Sequence, residues 1–190
     1  MKEILLFLLV TSWSGYVCAH EEPTLVFQIP STFYQHPTRL SHPRVDYWHN
    51  RGKSAEKAGK GSFNAQHFKT SDCQTKPTGQ ALILIIPSMF YNLQRGVFYS
   101  EITAKIYTNP DQNSVLGKPL LTVKGQGQAR GWVSYNAENF THKSYQQAFD
   151  EVIQKLKKNT DYLQAIDNAP MHNYEALCQS IDSLAESKFY

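Results

Sequence analysis

The segment ALILII at residues 81–86 decides the fold, because it is an unbroken apolar run that stops at Pro87. A short run of this kind, with no polar position in it, is typical of a β-strand that is covered on both faces. We therefore predict that residues 81–86 form the central strand of a sheet, around which the domain is built.

Residues 96–108 alternate between apolar and polar side chains, which is the period of a strand with one buried face. The apolar side carries Phe98, Ile102, Ala104 and Ile106. The cluster Asn-Pro-Asp-Gln-Asn at residues 109–113 favours a turn, so a strand near residues 120–124 is predicted to fold back as a hairpin. The Gly-Gln-Gly triplet at residues 125–127 predicts a bulge or kink before residues 128–135 continue in extended conformation.

Two amphipathic helices are predicted to close the domain. The first has Thr141 as its expected N-cap, lysines in its last turn, and apolar residues at three- and four-residue steps. Its apolar face consists of Tyr145, Ala148, Phe149, Val152, Ile153 and Leu156. The second begins after Pro170 and carries on one side Tyr174, Leu177, Cys178, Ile181 and Leu184. Both are expected to pack on one face of a mainly antiparallel sheet of about four strands, which gives a single-domain α+β fold.

The N-terminal part of the chain has a different texture. Residues 20–79 lack sustained helical periodicity and are rich in proline, which indicates an irregular segment. Within it, residues 24–29 form the one predicted strand. Residues 51–62 have no large apolar side chain and predict a mobile surface loop. We thus expect a signal peptide at residues 1–19, an irregular N-terminal segment at residues 20–79 and an α+β core at residues 80–190.

Residues 1–19 have the composition of a secretory signal peptide. A positive charge precedes an apolar run at residues 4–10, and Val-Cys-Ala at residues 17–19 offers small residues where a signal peptidase cleaves. We predict export to the periplasm or the exterior, with His20 as the mature N-terminus. The interrupted apolar run is too short to span a bilayer, so no transmembrane span is expected after signal removal. Lipidation at Cys18 is the alternative fate of this segment.

Cysteine usage agrees with cleavage after Ala19. Of the three cysteines, Cys18 would be lost with the signal, which leaves Cys73 and Cys178. An oxidising compartment could join this pair, so we predict a disulfide between Cys73 and Cys178. The alternative is two buried free thiols.

Composition limits the function classes. The formal net charge is +3 and 13% of the residues are aromatic, and export makes nucleic acid an unexpected partner. The sequence has no G-x-S-x-G elbow, H-E-x-x-H pair, P-loop or G-x-G-x-x-G loop. We therefore favour a non-enzymatic binding or assembly protein of the cell envelope, without a cofactor. A hydrolase of an envelope polymer is the second alternative, because acid and base residues can be distant in sequence.

The segment from residue 33 to residue 51 mixes aromatic and basic side chains. Aromatic faces beside cationic donors can stack on sugar rings or grip anionic glycans, and such groups are often carried by loops. The candidate binding residues are Arg44, Tyr47, Trp48 and Arg51. The expected partner is a cell-wall glycan or an envelope protein. The competing interpretation is that these aromatic residues only hold an irregular segment against the core.

Histidines crowd the same half of the chain and support an alternative function in copper or zinc handling. A mature N-terminal histidine can chelate copper through its amine and imidazole if the fold brings a second histidine near. The candidate ligands are His20, His36, His42 and His49. The competing interpretation is that they are solvent-exposed loop histidines.

Residues 81–166 carry a resemblance to a known family. An apolar strand, the extended segment at residues 100–107, a glycine-punctuated hairpin and the helix at residues 145–156 follow one another. In element order and apolar spacing this stretch resembles small bacterial envelope proteins of the YajG-like lipoprotein kind. The resemblance implies a compact α+β module without catalytic residues, from a family whose roles are mostly in assembly or unknown. The context of Cys18 and the long N-terminal segment depart from that pattern.

Overall fold

Strand β6, at Ala81–Asn92, lies in the middle of the main sheet, as predicted for the central strand. The computed structural model describes residues 23–42, 45–110, 117–167, 169–185 and 188. Residues 81–86 are at most 3% exposed, because both faces of β6 are covered. The predicted signal peptide at residues 1–19 lies outside the described residues.

The described part of the chain combines helices with a mainly antiparallel sheet of consecutive strands, so the α+β class is confirmed. The strands are β1 (Thr24–Gln28), β2 (Thr38–His42), β3 (Val45–His49), β4 (Lys69–Asp72), β5 (Thr78–Gly79), β6 (Ala81–Asn92), β7 (Val97–Tyr107), β8 (Leu121–Arg130) and β9 (His172–Asn173). The helices are α1 (Thr32–Gln35), α2 (Arg51–Ala65), α3 (Ala137–Lys158), α4 (Thr160–Asp167) and α5 (Glu175–Asp182).

Five strands form the main sheet, in the order β4-β1-β6-β7-β8. β6 and β7 pair antiparallel over eleven residues, and β7 and β8 over ten. β1 lies parallel to both β6 and β4, with four paired residues on each side. The sheet is therefore mainly antiparallel, as predicted, with five strands in place of about four. β2 pairs with β3, and β5 pairs with β9, in two small antiparallel sheets.

Helices α2 and α3 cover one face of the main sheet. Phe27 of β1 packs against Phe63 of α2 with ring centroids 6.1 Å apart, and against Phe149 of α3 at 6.2 Å. α3 is the first predicted helix, and its predicted apolar face is buried throughout. It begins earlier than expected, because Asn136 rather than Thr141 is the N-cap and accepts a backbone N–H of the first turn through its side chain.

Helix α2 occupies residues 51–62, and the prediction of a mobile loop there is wrong. The buried side of α2 is made mostly of small residues, namely Gly52, Ala55, Ala58, Gly59 and Ser62. At Gly59 a Cβ atom would lie 2.7 Å from the rings of both Phe27 and Phe149, so glycine lets the helix approach this closely. The periodicity of large apolar residues does not detect such a helix.

The N-terminal segment is thus more ordered than the sequence indicates. In its described part, residues 20–79 hold five strands and two helices, where one strand was expected. The strands β2 to β5 are only two to five residues long. Elements this short carry too few alternating positions to stand out in a sequence pattern.

The second face of the sheet is covered by the C-terminal part of the chain. Gln28 follows Phe27 in β1 and so points to the opposite face, where its amide donates to Asp182 of α5 at 2.8 Å. α3 and α5 therefore lie on opposite faces, whereas one face was predicted for both. The apolar run of β6 explains the difference, because Leu82 and Leu84 point to the second face and would be exposed if every helix lay on the first.

A disulfide fixes this C-terminal layer. The structure joins Cys73, just after β4, to Cys178 of α5, with Cα atoms 5.8 Å apart and a sequence separation of 105. This is the pair predicted from the two cysteines that remain after signal cleavage. Closing a loop of this length stabilises a fold by about 4–5 kcal/mol in the chain-entropy model. Tyr174, directly before α5, is fully buried and its hydroxyl donates to the Tyr107 carbonyl at 3.2 Å.

Gly125 and Gly127 bring α3 into direct contact with β8. The strand runs through residues 125–127 in continuous register with β7, so the predicted bulge is wrong, and it ends at Arg130 rather than near residue 135. A Cβ atom on either glycine would clash with a backbone carbonyl oxygen of α3. The glycines therefore serve close packing of a helix on a strand, not a kink.

The same contact closes the outer edge of β8. Gln147, Glu151 and Lys155 project from α3 at intervals of four residues, and their side chains bond to backbone groups of β8 at 3.1, 2.6 and 2.6 Å. An uncovered edge strand offers such groups to other chains. Here the helix satisfies three of them, the N–H groups of Gln126 and Gln128 and the carbonyl of Lys124.

We predict that Gly127→Ala lowers the free energy of unfolding by about 3 kcal/mol, the upper part of the range for overpacked sites. The added methyl group would meet the carbonyl of Ser144 and the backbone nitrogen of Ala148, and backbone atoms cannot move away by a rotamer change. Urea denaturation followed by circular dichroism measures the effect as a lower midpoint at unchanged slope.

Gly61→Ala is the matched control, because Gly61 lies in α2 and a Cβ atom there would meet nothing within 4 Å. Alanine favours a helix over glycine by about 0.5–1 kcal/mol, so this variant should be more stable than the wild type. Equal stability of Gly127→Ala and the wild type would show that α3 does not rest on the backbone of β8.

Candidate functional site

A cavity of about 410 Å³ opens at one edge of the main sheet, where β1 and β4 end. These strands are parallel, so their carboxyl ends meet at the same edge, which is where open α/β sheets commonly bind ligands. α1, α2 and α5 contribute to the wall. The polar lining residues are Gln28, Ser31, Tyr34, Gln35, Glu56, Asp72, Gln74, Thr75 and Asp182.

Three carboxyl groups line the cavity, each from a different element: Glu56 from α2, Asp72 from β4 and Asp182 from α5. Lys60, one helical turn after Glu56, places its ammonium 2.7 Å from Glu56 Oε1 and 2.7 Å from Asp72 Oδ1. Asp182 accepts instead from two neutral donors, the Gln28 amide at 2.8 Å and a backbone N–H at 3.1 Å. Within this group of side chains, three carboxyl groups are thus accompanied by one ammonium, which pairs with two of them.

Burial sets the protonation behaviour of the cavity. It raises the pKa of Asp182, and the two donors to this carboxyl group offset only part of the rise. Burial and the charge of Glu56 also raise the pKa of Tyr34, whose hydroxyl donates to Glu56 Oε2 at 2.9 Å and remains protonated at neutral pH. Burial lowers the pKa of Lys60, but its bonds to two carboxylates outweigh this and hold the pKa above its usual value.

The chemistry of this wall suits a polyatomic cation. An excess of carboxyl groups over ammonium groups favours the binding of a positively charged ligand in a site that is partly withdrawn from water. In the part of the chain that the structure describes, no three His, Cys, Asp or Glu side chains are placed to hold one metal ion. The carboxyl groups are thus spread over the wall, and the side chains of Gln35, Gln74 and Thr75 can bond to hydroxyl groups of a ligand.

The structure separates the residues predicted to bind a partner. Tyr47 and Trp48 are neighbours in β3 and point to opposite faces of the β2–β3 hairpin. Trp48 is 61% exposed, whereas Tyr47 is partly buried against the core. Arg51 begins α2, with its guanidinium carbon 4.8 Å from the centre of the Phe33 ring. Arg44 lies outside the described residues. A binding role for these residues stays a prediction.

His49, one of the predicted metal ligands, is a core residue. Its ring is fully buried and stacks on Tyr47 and Tyr145, with centroids 6.1 and 5.7 Å away. Nε2 lies 3.3 Å from the Tyr145 hydroxyl. Burial, and to a smaller extent the charge of Arg51, lowers the pKa of His49 to about 4, so the ring is neutral at pH 7.

The other predicted ligands lie elsewhere. His36 is exposed at the end of α1, and the backbone of His42 pairs with that of Val45 in the β2–β3 hairpin. His20 lies outside the described residues. A copper or zinc site at a mature N-terminal His20 therefore stays a prediction.

The carboxyl groups of the cavity were not predicted, although a signal for two of them is present in the sequence. Asp72 directly precedes Cys73, and Asp182 follows Cys178 by one helical turn. A disulfide between the two cysteines brings these aspartates to the same region. Glu56 has no such signal, because it lies in the segment predicted to be a loop.

No protein family model matches this chain, and no curated protein matches it. A solved structure from Caulobacter crescentus CB15, described as a "putative lipoprotein", has 11% identity and a TM-score of 0.31, over 72% of this chain and 91% of that chain. These values assign neither fold nor function, so the resemblance to YajG-like lipoproteins stays a prediction. Within the described residues, every helix is too short or too polar to cross a membrane.

The buried His49 should make stability depend on pH. Because His49 is buried, we predict that the free energy of unfolding falls by about 3 kcal/mol as the pH is lowered from 7 to 4. This change adds to the one that the titration of carboxyl groups causes. The unfolded chain binds a proton at this histidine near pH 6.5, whereas the folded chain does so only near the lowered pKa of about 4. Acid therefore favours the unfolded state in this interval. Urea unfolding at several pH values measures the effect.

His49→Phe removes the titrating ring and keeps an aromatic side chain between Tyr47 and Tyr145. This variant should lose that part of the pH dependence. His36→Phe is the control, because His36 is exposed and its replacement should leave the profile unchanged. The same profile for His49→Phe and the wild type would contradict the role of His49.

Proposed function

We propose that this protein is an exported, non-enzymatic binding protein of the cell envelope that holds an amino sugar of a cell-wall glycan in the cavity at the ends of β1 and β4. The observation that carries the proposal is the charge of the cavity wall, where Glu56, Asp72 and Asp182 line the cavity and the ammonium of Lys60 pairs with only the first two. The binding site proposed here differs from the aromatic and basic segment that the sequence favours.

Two features support export. The Cys73–Cys178 pair is bonded in the structure, and disulfides persist in oxidising compartments outside the cytosol. Residues 1–19 have the charge, apolar run and small residues of a cleavable signal. An envelope location would place the cavity beside cell-wall polymers.

An amino sugar matches the cavity in charge, hydrogen bonding and size. Glu56 and Asp72 share Lys60, whereas Asp182 has neutral donors, so a ligand ammonium would pair best with Asp182. A cation there would also relieve the cost of burying a carboxylate. The hydroxyl groups of the sugar could bond to neighbouring amides and hydroxyls of the wall. A volume of about 410 Å³ lies in the range of sites for small ligands.

One observation favours a second candidate function, hydrolysis of the same polymer. Burial raises the pKa of Asp182, while the other two carboxyl groups share the ammonium of Lys60. Glycosidases use two carboxyl groups in unlike environments, one as the acid and one as the base or nucleophile. Release of reducing ends from a chitosan oligomer by the wild type, and its loss in Asp182→Asn, would identify this activity.

We predict that Asp182→Asn weakens the binding of glucosamine by about tenfold or more, because a hydrogen bond to a charged group contributes about 1.5–3 kcal/mol. The variant should fold, since a neutral amide suits a position where burial already disfavours the charge. Isothermal titration calorimetry of the full chain with glucosamine measures the change in affinity.

Matched ligands and a matched variant test whether the charges of the ligand amine and of Asp182 determine the affinity. N-acetylglucosamine lacks the charged amine and should bind more weakly than glucosamine. Lysine supplies an amine without a sugar ring, and binding as tight as that of glucosamine would overturn the amino-sugar assignment. Asp150→Asn removes an exposed carboxylate of α3 and should leave affinity unchanged. Equal affinity of Asp182→Asn and the wild type would exclude the cavity as the site.

A further inference from the structure

We propose that the open face of β6, β7 and β8 is a second binding site, which takes a neutral polysaccharide chain by stacking its sugar rings on Phe90 and Tyr99. This face shares no lining residue with the carboxylate-lined cavity. The inference goes beyond the proposed function and does not rest on it.

Two aromatic rings form the centre of this face. Phe90 of β6 and Tyr99 of β7 are register partners, and their rings stack with centroids 6.3 Å apart. Phe90 is 60% exposed. Phe98, the neighbour of Tyr99 along β7, packs against Phe140 of α3, so Tyr99 points away from that helix. The two rings therefore lie on the side of the sheet that α3 leaves uncovered.

Polar groups flank the rings. Ser88 of β6, Glu101 of β7 and Gln126 of β8 lie side by side in register, and they border the same shallow cavity of about 240 Å³ as the two rings. Glu101 accepts from Lys124 Nζ at 2.9 Å and from Gln126 Nε2 at 3.2 Å. These bonds orient the polar groups, and the charges of Glu101 and Lys124 balance each other.

A neutral pyranose matches this arrangement. One face of the sugar ring is a patch of C–H groups that can lie flat on an aromatic ring, while its rim carries hydroxyl groups that need donors and acceptors. The paired charges of Glu101 and Lys124 add no net charge beside the rings, and the cation of Arg130 lies further along β8, in register with Val97. A protein partner fits this face less well, because the core of a protein–protein interface is usually depleted of charged residues. Here the charged Glu101 and the polar Gln128 lie beside the aromatic pair.

Pairing of a partner strand along this sheet is disfavoured at β8. The backbone N–H groups of Gln126 and Gln128 are bonded to Glu151 and Gln147 of α3, at 2.6 and 3.1 Å. A peptide that adds a strand needs such groups to be free. The exposed side of the sheet, rather than this edge, is thus the surface on which a chain can lie. The long antiparallel pairing of the three strands keeps it rigid.

Calorimetric titration of the full chain with two neutral oligomers, cellopentaose and N-acetylchitopentaose, tests the proposal. We expect the wild type to bind at least one of them. Phe90→Tyr keeps the ring and should bind like the wild type. Phe90→Leu keeps an apolar side chain without a flat face and should bind about tenfold more weakly. Phe90 is exposed, so neither substitution should disturb the fold.

Trp48→Ala is the matched control, because Trp48 is an equally exposed aromatic residue on the β2–β3 hairpin. Binding that survives in Trp48→Ala and weakens in Phe90→Leu supports the proposal. Loss in Trp48→Ala with retention in Phe90→Leu overturns it and moves the site to the hairpin. Absence of binding by the wild type overturns it as well. So does a self-association that Phe90→Leu abolishes in sedimentation without any effect on sugar binding.

Discussion

The direct contact between the backbones of β8 and α3, at Gly125 and Gly127, is the constraint on which the rest of the structure depends. It sets how close α3 lies to the sheet, and hence how far Phe149 reaches toward β1 and α2. Phe149 packs against Phe63 of α2 with centroids 6.3 Å apart, so the position of α2 follows from that of α3. α2 in turn carries Glu56 to the cavity, and a packing rule on one side of the sheet thereby shapes a polar site at its far edge.

The same contact determines which surfaces of the sheet remain accessible. Because α3 lies against β8, its Gln147, Glu151 and Lys155 reach the backbone groups along the strand edge. An edge closed in this way is protected from unwanted strand pairing. On the face opposite α3, no contact with a helix is needed where β6, β7 and β8 extend beyond the C-terminal layer. Exposed aromatic side chains can therefore stand there on a rigid support.

Sequence patterns predict the parts of this fold that rest on large apolar side chains. β6 follows from its unbroken apolar run, α3 from its helical periodicity, and the Cys73–Cys178 pair from the count of cysteines left after signal cleavage. These patterns do not predict α2, because its buried side consists mostly of glycine, alanine and serine. The opposite placement of α3 and α5 is implicit in the unbroken apolar run of β6, which needs cover on both faces, but no local pattern assigns a helix to a face. The cavity draws on residues from Phe27 to Asp182, and a local pattern does not show that such distant groups meet.

The net charge of this protein does not determine the charge of its ligand. The chain as a whole carries +3, which by itself favours anionic partners, whereas the cavity wall has more carboxyl than ammonium groups. At physiological ionic strength, exposed charges more than about 8 Å apart are largely screened from each other. Partly buried groups interact more strongly, so a ligand in the cavity responds to Glu56, Asp72, Asp182 and Lys60 rather than to distant surface lysines. The open sheet face obeys the same rule, because Glu101 and Lys124 compensate each other there. One basic protein can thus present a site for a cation and a site for a neutral chain, since each ligand is attracted by the charges nearest to it.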